Sequence, residues 1–232
     1  ISIMYFDGWD ISYLDSYTKN NSSYILYKRK DLPKNDRLFE CHVEDLLDKN
    51  SNLNTSAKAP LVSDGFLRTY RLALSATGEY TTFHGGTVPS AMAAMVTTMN
   101  RVNGIYEKTI SVTMVMIANN SSLIYVNSAT DPFTNGNPNA MITENQNNTT
   151  SVIGSANYDI GHVFGTNSGG LAGLGVVCST NNKARGVTGS GAPVGDPFDV
   201  DYVAHEVGHQ FGANHTFRNC GGNENNATAY EP

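Results

Sequence analysis

His205, Glu206, His209, Gly212 and His215 stand in the order His-Glu-x-x-His-x-x-Gly-x-x-His. On a helix of about 3.6 residues per turn, His205 and His209 lie one turn apart on one face. Two imidazoles so placed reach a single metal ion. His215 is six residues beyond His209, roughly 600° of continuous helix, which leaves it about 120° off the shared face. Gly212 removes the difficulty. Glycine takes positive φ at little steric cost and commonly ends helices, so the chain can turn there and bring His215 back. Glu206 lies about 100° round from His205, beside the metal but outside its ligand set.

Three neutral imidazoles with an open fourth position describe a catalytic zinc site. Zinc lowers the pKa of a water it holds to about 7 and stabilises the oxyanion that forms when water attacks a carbonyl. Glu206 suits a general base that takes the proton and passes it to a leaving amine. The pattern therefore predicts hydrolysis of an amide with Zn2+ as cofactor.

These residues need a helix above a sheet. The motif helix is expected to start near Asp199, a good cap residue. "YRLALSAT" (residues 70–77) alternates with the period of a half-buried strand. Thr87, Val88 and Pro89 open a helix, and Val88, Met92, Met95, Val96, Met99, Val102, Ile105 and Tyr106 continue it at spacings of three and four. Its methionine stripe reads as core packing. Residues 110–117, 122–126, 158–166 and 171–178 read as further strands, residues 131–148 as loop with one short helix, and residues 179–197 as a glycine-rich loop. Strand, helix, four strands and helix make an α/β pattern with a mixed sheet.

Composition separates the first quarter of the chain. Residues 1–60 hold eight of the 15 Lys and Arg residues, and "KNSNLNTSAKAP" (residues 49–60) has the polar, aperiodic character of a linker. The expected division is residues 1–60 and residues 61–232. Within the first part, residues 24–30 look like a strand and residues 39–47 like an extended or short helical piece. The net charge of −6 argues against nucleic acid as a partner. No stretch approaches the roughly 20 apolar residues of a membrane span. Abundant Asn, Ser, Thr and Gly point to an exported, extracellular protein. The start at Ile1 reads as a fragment of a longer precursor.

"HEVGHQFGANHTF", preceded by "YDIGHVF" and "GGLAGLGVVC", resembles the metzincin zinc endopeptidases, most closely the reprolysin or adamalysin-like branch in a bacterial version. The resemblance covers roughly residues 64–220. It implies a metzincin-like α/β domain, a twisted mixed five-stranded sheet with an active-site helix and a backing helix. It implies His205, His209 and His215 as zinc ligands and Glu206 as the catalytic base. Leu171, Ala172, Gly173, Leu174 and Gly175 would form the sheet edge that pairs with a peptide or protein substrate. Metzincins carry a methionine turn downstream of the third histidine, whereas the last methionine here is Met141. The expectation is that this turn and the lower subdomain are absent from this chain, supplied by a C-terminal remainder of the same precursor.

The same resemblance gives the first 60 residues a role. Several metzincins are latent while a pro-segment cysteine occupies the zinc, and thiolate is a strong zinc ligand. Cys41 is the candidate fourth ligand, with residues 1–60 as part of a pro-segment. Cys178 and Cys220 could pair with each other, or with cysteines further on. His42, His84 and His162 read as structural histidines. A calcium site at Asp196 or loop carbonyls is a further candidate, without an EF-hand-like loop. The alternative to a latent endopeptidase is an inactive zinc-containing binding or adhesion module.

Overall fold

A computed structural model describes residues 3–8, 10–18, 22–32, 65–167 and 169–215, together with the backbone of residues 41–44. Strands β1 (Ile3–Asp7), β2 (Asp10–Ser16) and β3 (Tyr24–Lys28) form an antiparallel three-stranded sheet in the order β1-β2-β3. Strand β4 (Cys41–Glu44) leaves that unit and joins the main sheet. The expected boundary near residue 60 lies outside the described residues.

The body begins with β5 (Arg68–Ala76). Thr77 then caps the short helix α1 (Gly78–Phe83) by accepting from Tyr80 N. Helix α2 (Val88–Ile110) starts as expected. Thr87 is its cap, Pro89 sits in its first turn, and Ser90 completes a reciprocal capping box. It runs to Ile110 and stops at Ser111, which takes a left-handed conformation. Strand β6 (Val112–Met116) follows.

Two expectations fail in the next stretch. Residues 122–126 are not a strand. A 3-10 turn at Asn120–Leu123 carries the chain past the sheet, leaving a single bridge between Ala76 and Ile124. Asn120 explains this, because its side chain bonds both N and O of Leu74 and so occupies ladder positions of β5. Residues 131–148 hold most of a 16-residue helix, α3 (Pro138–Ile153), capped by Asn137. Its Asn and Thr content hid it, yet Asn145, Gln146 and Thr149 are buried polar contacts facing the sheet.

Strands β7 (Ile160–Gly165), β8 (Gly169–Gly173) and β9 (Gly186–Gly189) complete the sheet, β9 lying within the expected glycine-rich loop. The order is β4-β8-β9-β7-β5-β6. Strand β8 runs antiparallel to β9, and the other pairs are parallel. The body therefore has five strands, with β9 in place of residues 122–126, and β4 makes a sixth.

The sheet is covered on both faces. Leu72, Leu74 and Ala76 pack against Met95, Met99 and Val102 of α2, with Phe198, Val203 and Val207 from the motif helix. Val163, Leu171 and Val187 meet Met141 and Ile142 of α3 on the other side. This second layer is why β5, expected to be half-buried, is buried on both faces from Leu72 onward. Among the described residues, no helix is long and apolar enough to cross a membrane.

Candidate metal centre

The motif helix is assembled in three stretches. Helix α4 (Asp196–Phe198) is followed by a π-helical turn, Asp199–Ala204, and then α5 (His205–Gln210). Asp199 is thus inside the helical run and not its cap; Gly195 precedes the first turn. The physical reason lies in its partners. Asp199 is buried, accepts a hydrogen bond from Thr98 Oγ1 at 2.7 Å, and lies 3.3 Å from Arg101 Nη1. Burial lifts its carboxyl to about 7 against the pull of Thr98 and Arg101.

The break at Gly212 is present, with φ +95. Gly212 N bonds the carbonyl of His209 and Ala213 N that of Gly208, which closes the helix and turns the chain back. His205 Nε2 then lies 3.0 Å from His209 Nε2 and 3.3 Å from His215 Nε2. One ring nitrogen from each of the three falls within 4.8 Å of the others. Tetrahedral Zn–N bonds of about 2.0–2.1 Å require N···N separations of about 3.3 Å, so the donor set fits zinc.

The second ring nitrogen of His209 fixes its tautomer. Nδ1 is 2.7 Å from the Ala213 carbonyl, which can only accept. Nδ1 therefore carries the proton and Nε2 keeps its lone pair for a metal. Burial, reinforced by the neighbouring ring of His215, pushes the His205 imidazole down to about 4, and burial does the same to His209. Both rings are neutral at pH 7, as ligation requires. Glu206 is fully buried on the same helix.

A family model described as Metallo-peptidase family M12B Reprolysin-like matches residues 92–216, more than half of the chain. The chain belongs to this family. It is a reprolysin-like zinc metalloendopeptidase, and the matched span ends just past His215, so it contains the three-histidine cluster. No curated protein matches the chain.

This reprolysin-like chain places its other candidates as follows. Leu171, Ala172 and Gly173 lie in β8, whereas Leu174 and Gly175 fall beyond its end. Gly175 N bonds the His209 carbonyl and Val177 N that of Gln210, so the chain leaving β8 is tied to α5. The expected strand over residues 171–178 is therefore cut short at Gly173, because those amides bond a helix end and not a neighbouring strand. Cys41 opens β4, whose backbone pairs in parallel with β8 in the register Cys41↔Gly170 to Glu44↔Gly173. Cys178 is exposed; Cys220, and with it the expected pairing, lies outside the described residues. Asp196, the calcium candidate, spends its oxygens on Arg101 Nη1 at 2.9 Å and Tyr13 OH at 2.7 Å.

Sequence reasoning missed the supports of the site. His162, read only as structural, bonds Gln210 of the motif itself. Tyr106 of α2 donates to the Ala204 carbonyl at 2.6 Å, immediately before His205. The helical period placed Tyr106 on the buried face of α2, but nothing in the sequence named its partner.

Proposed function

We propose that this chain is the latent precursor of a secreted endopeptidase, with residues 1–60 as part of its pro-segment and residues 61–232 as its catalytic domain. The observation that carries the reading is the convergence of three imidazole nitrogens at the end of the family-matching span. His205, His209 and His215 would hold Zn2+ through Nε2. Bound there, zinc supplies a Lewis acid that activates water and polarises the scissile carbonyl. The Ala213 carbonyl holds the His209 ring in the ligating tautomer. Glu206, next to His205 on α5, takes the proton of the attacking water and delivers it to the departing amine. The edge of β8 binds an extended peptide through main-chain hydrogen bonds.

Latency is supported by β4. It pairs with Gly170, Leu171, Ala172 and Gly173, the edge a substrate strand would need. Cys41 begins that strand and is the pro-segment's candidate zinc ligand in the latent form. The sparse Lys and Arg and abundant Asn, Ser, Thr and Gly support export. A C-terminal remainder of the precursor is the proposed source of the lower cleft wall.

The test compares zinc content and casein-peptide cleavage of the full-length protein as wild type, Cys41→Ala, Glu206→Ala and a form lacking residues 1–60. The expected result is activity in Cys41→Ala and in the shortened form, and zinc without activity in Glu206→Ala. Silent Cys41→Ala with an active shortened form would replace the thiol latch by occupancy of the β8 edge alone. Zinc bound with no cleavage in any form would move the chain to a non-catalytic binding module.

A further inference from the structure

The sheet formed by β1, β2 and β3 has almost no core of its own. Tyr13 alone is fully buried among its described residues, and it is buried against the body. A small sheet without a hydrophobic interior is not independently stable, so the surface it docks on must organise it. That surface is chemically specific. Arg101 of α2 is 4% exposed. Its Nη1 bonds Asp196 Oδ1 at 2.9 Å, and its Nη2 bonds Asp15 of β2 and Tyr27 OH of β3, the latter at 2.9 Å. Tyr27 also donates to Asp15, and Tyr13 OH donates to Asp196 at 2.7 Å while its ring lies 4.6 Å from the Arg101 guanidinium carbon. Arg29 pairs with Asp201 at 2.9 Å.

A second observation is independent of charge. Gly104 stands inside α2, where glycine costs about 1 kcal/mol relative to alanine. A Cβ there would come within 3.0 Å of Met4 Sδ and 3.7 Å of the Phe6 ring of β1. The body carries a helix-weakening residue where Met4 and Phe6 of the small sheet pack onto α2.

We propose that the face of α2 bearing Arg101 and Gly104, with Asp196 and Asp201 at the start of the motif helix, is a binding surface for the sheet β1-β2-β3 and the adjoining Arg29, and retains them as a noncovalent partner after the chain between them is cut. Cutting the pro-segment and releasing it are then separate events. Departure of the sheet gives up the charge-assisted bond of Arg101 to Asp15 and its bond to Tyr27 in exchange for water, and uncovers Tyr13, which opposes departure. This rests on the reading of residues 1–60 as a pro-segment that is cut, and holds whether or not Cys41 ligates the metal.

The test inserts a site-specific protease sequence within residues 33–40, so that the released piece lacks β4 and Cys41. After cleavage, native size-exclusion chromatography with mass spectrometry follows residues 1–32. Co-elution with the remainder is expected. Asp15→Ala should speed loss of the fragment at least tenfold, and Tyr5→Ser, on the outward face, should leave it bound. Gly104→Leu should expel the fragment while the melting temperature of the remainder holds or rises, which separates lost docking from lost folding. A wild-type fragment that elutes free overturns the proposal, as does retention unchanged by both Asp15→Ala and Gly104→Leu.

Discussion

His162 on β7 and Gln210 on α5 are 48 residues apart in sequence and joined at 2.8 Å, from His162 Nδ1 to Gln210 Oε1. The amide of Gln210 is oriented by its other end, where Nε2 donates to the Gly161 carbonyl at 2.8 Å. His162 Nε2 then accepts from Thr188 Oγ1 on β9. One neutral imidazole therefore links the motif helix to two neighbouring strands.

That linkage makes stability pH-dependent. Burial pushes His162 down to about 4, while its unfolded value is about 6.5. Between those limits the unfolded chain binds the extra proton, so stability is full above about pH 6.5 and falls as pH drops toward 4. The loss from this residue is on the order of 3 kcal/mol. Urea titrations at pH 7 and pH 4.5 should show a steeper pH dependence for wild type than for His162→Gln. Equal slopes would remove His162 from the account.

Gly186 leaves room for the same contact. A Cβ there would lie 2.4 Å from both Gln210 Oε1 and His162 Nδ1. Gly186→Ala should destabilise the protein by about 1–3 kcal/mol, the range for overpacked interiors. It should also break the bond, visible as a shifted or lost imidazole N–H resonance. A wild-type midpoint with an unmoved resonance would contradict this.

The turn at Gly212 predicts an effect on metal binding. With φ +95, an L-residue there is strained by about 1–2 kcal/mol. Gly212→Ala should displace His215 and weaken zinc at least severalfold in chelator competition, while His205 and His209 on α5 stay in place. An unchanged zinc affinity would mean that His215 reaches the metal by another route.

Two methionines of α2 should behave differently. Met95 is fully buried in the main core, whereas Met92 is only partly buried against it. Met95→Ala should cost about 2–5 kcal/mol and Met92→Ala distinctly less, measured by denaturant unfolding. Similar losses would place the weight of that interface elsewhere.

The metal-binding cluster was legible because its geometry is local. Helical pitch sets His205 over His209, and one glycine turns the chain back to His215, so the eleven residues from His205 to His215 contain the whole instruction. Helix α2 was legible for the same reason, through its cap and its apolar period. Helix α3 was not, because its buried face mixes Met141, Ile142 and Ile153 with Asn145, Gln146 and Thr149, polar groups that bond Ala184, Tyr158 and one another. Strand β9 was lost among glycines that read as loop.

By itself, then, the sequence determined the three-histidine cluster, the family and helix α2, since each rests on short-range spacing. Tertiary structure alone decided that β4 lies on the edge of β8, that Gln210 is held by His162, and that Arg101 gathers Asp15, Asp196 and Asp199. The reason is physical. A single carboxylate, imidazole or guanidinium has no periodicity, and its role appears only when burial removes water and obliges it to find a partner far along the chain.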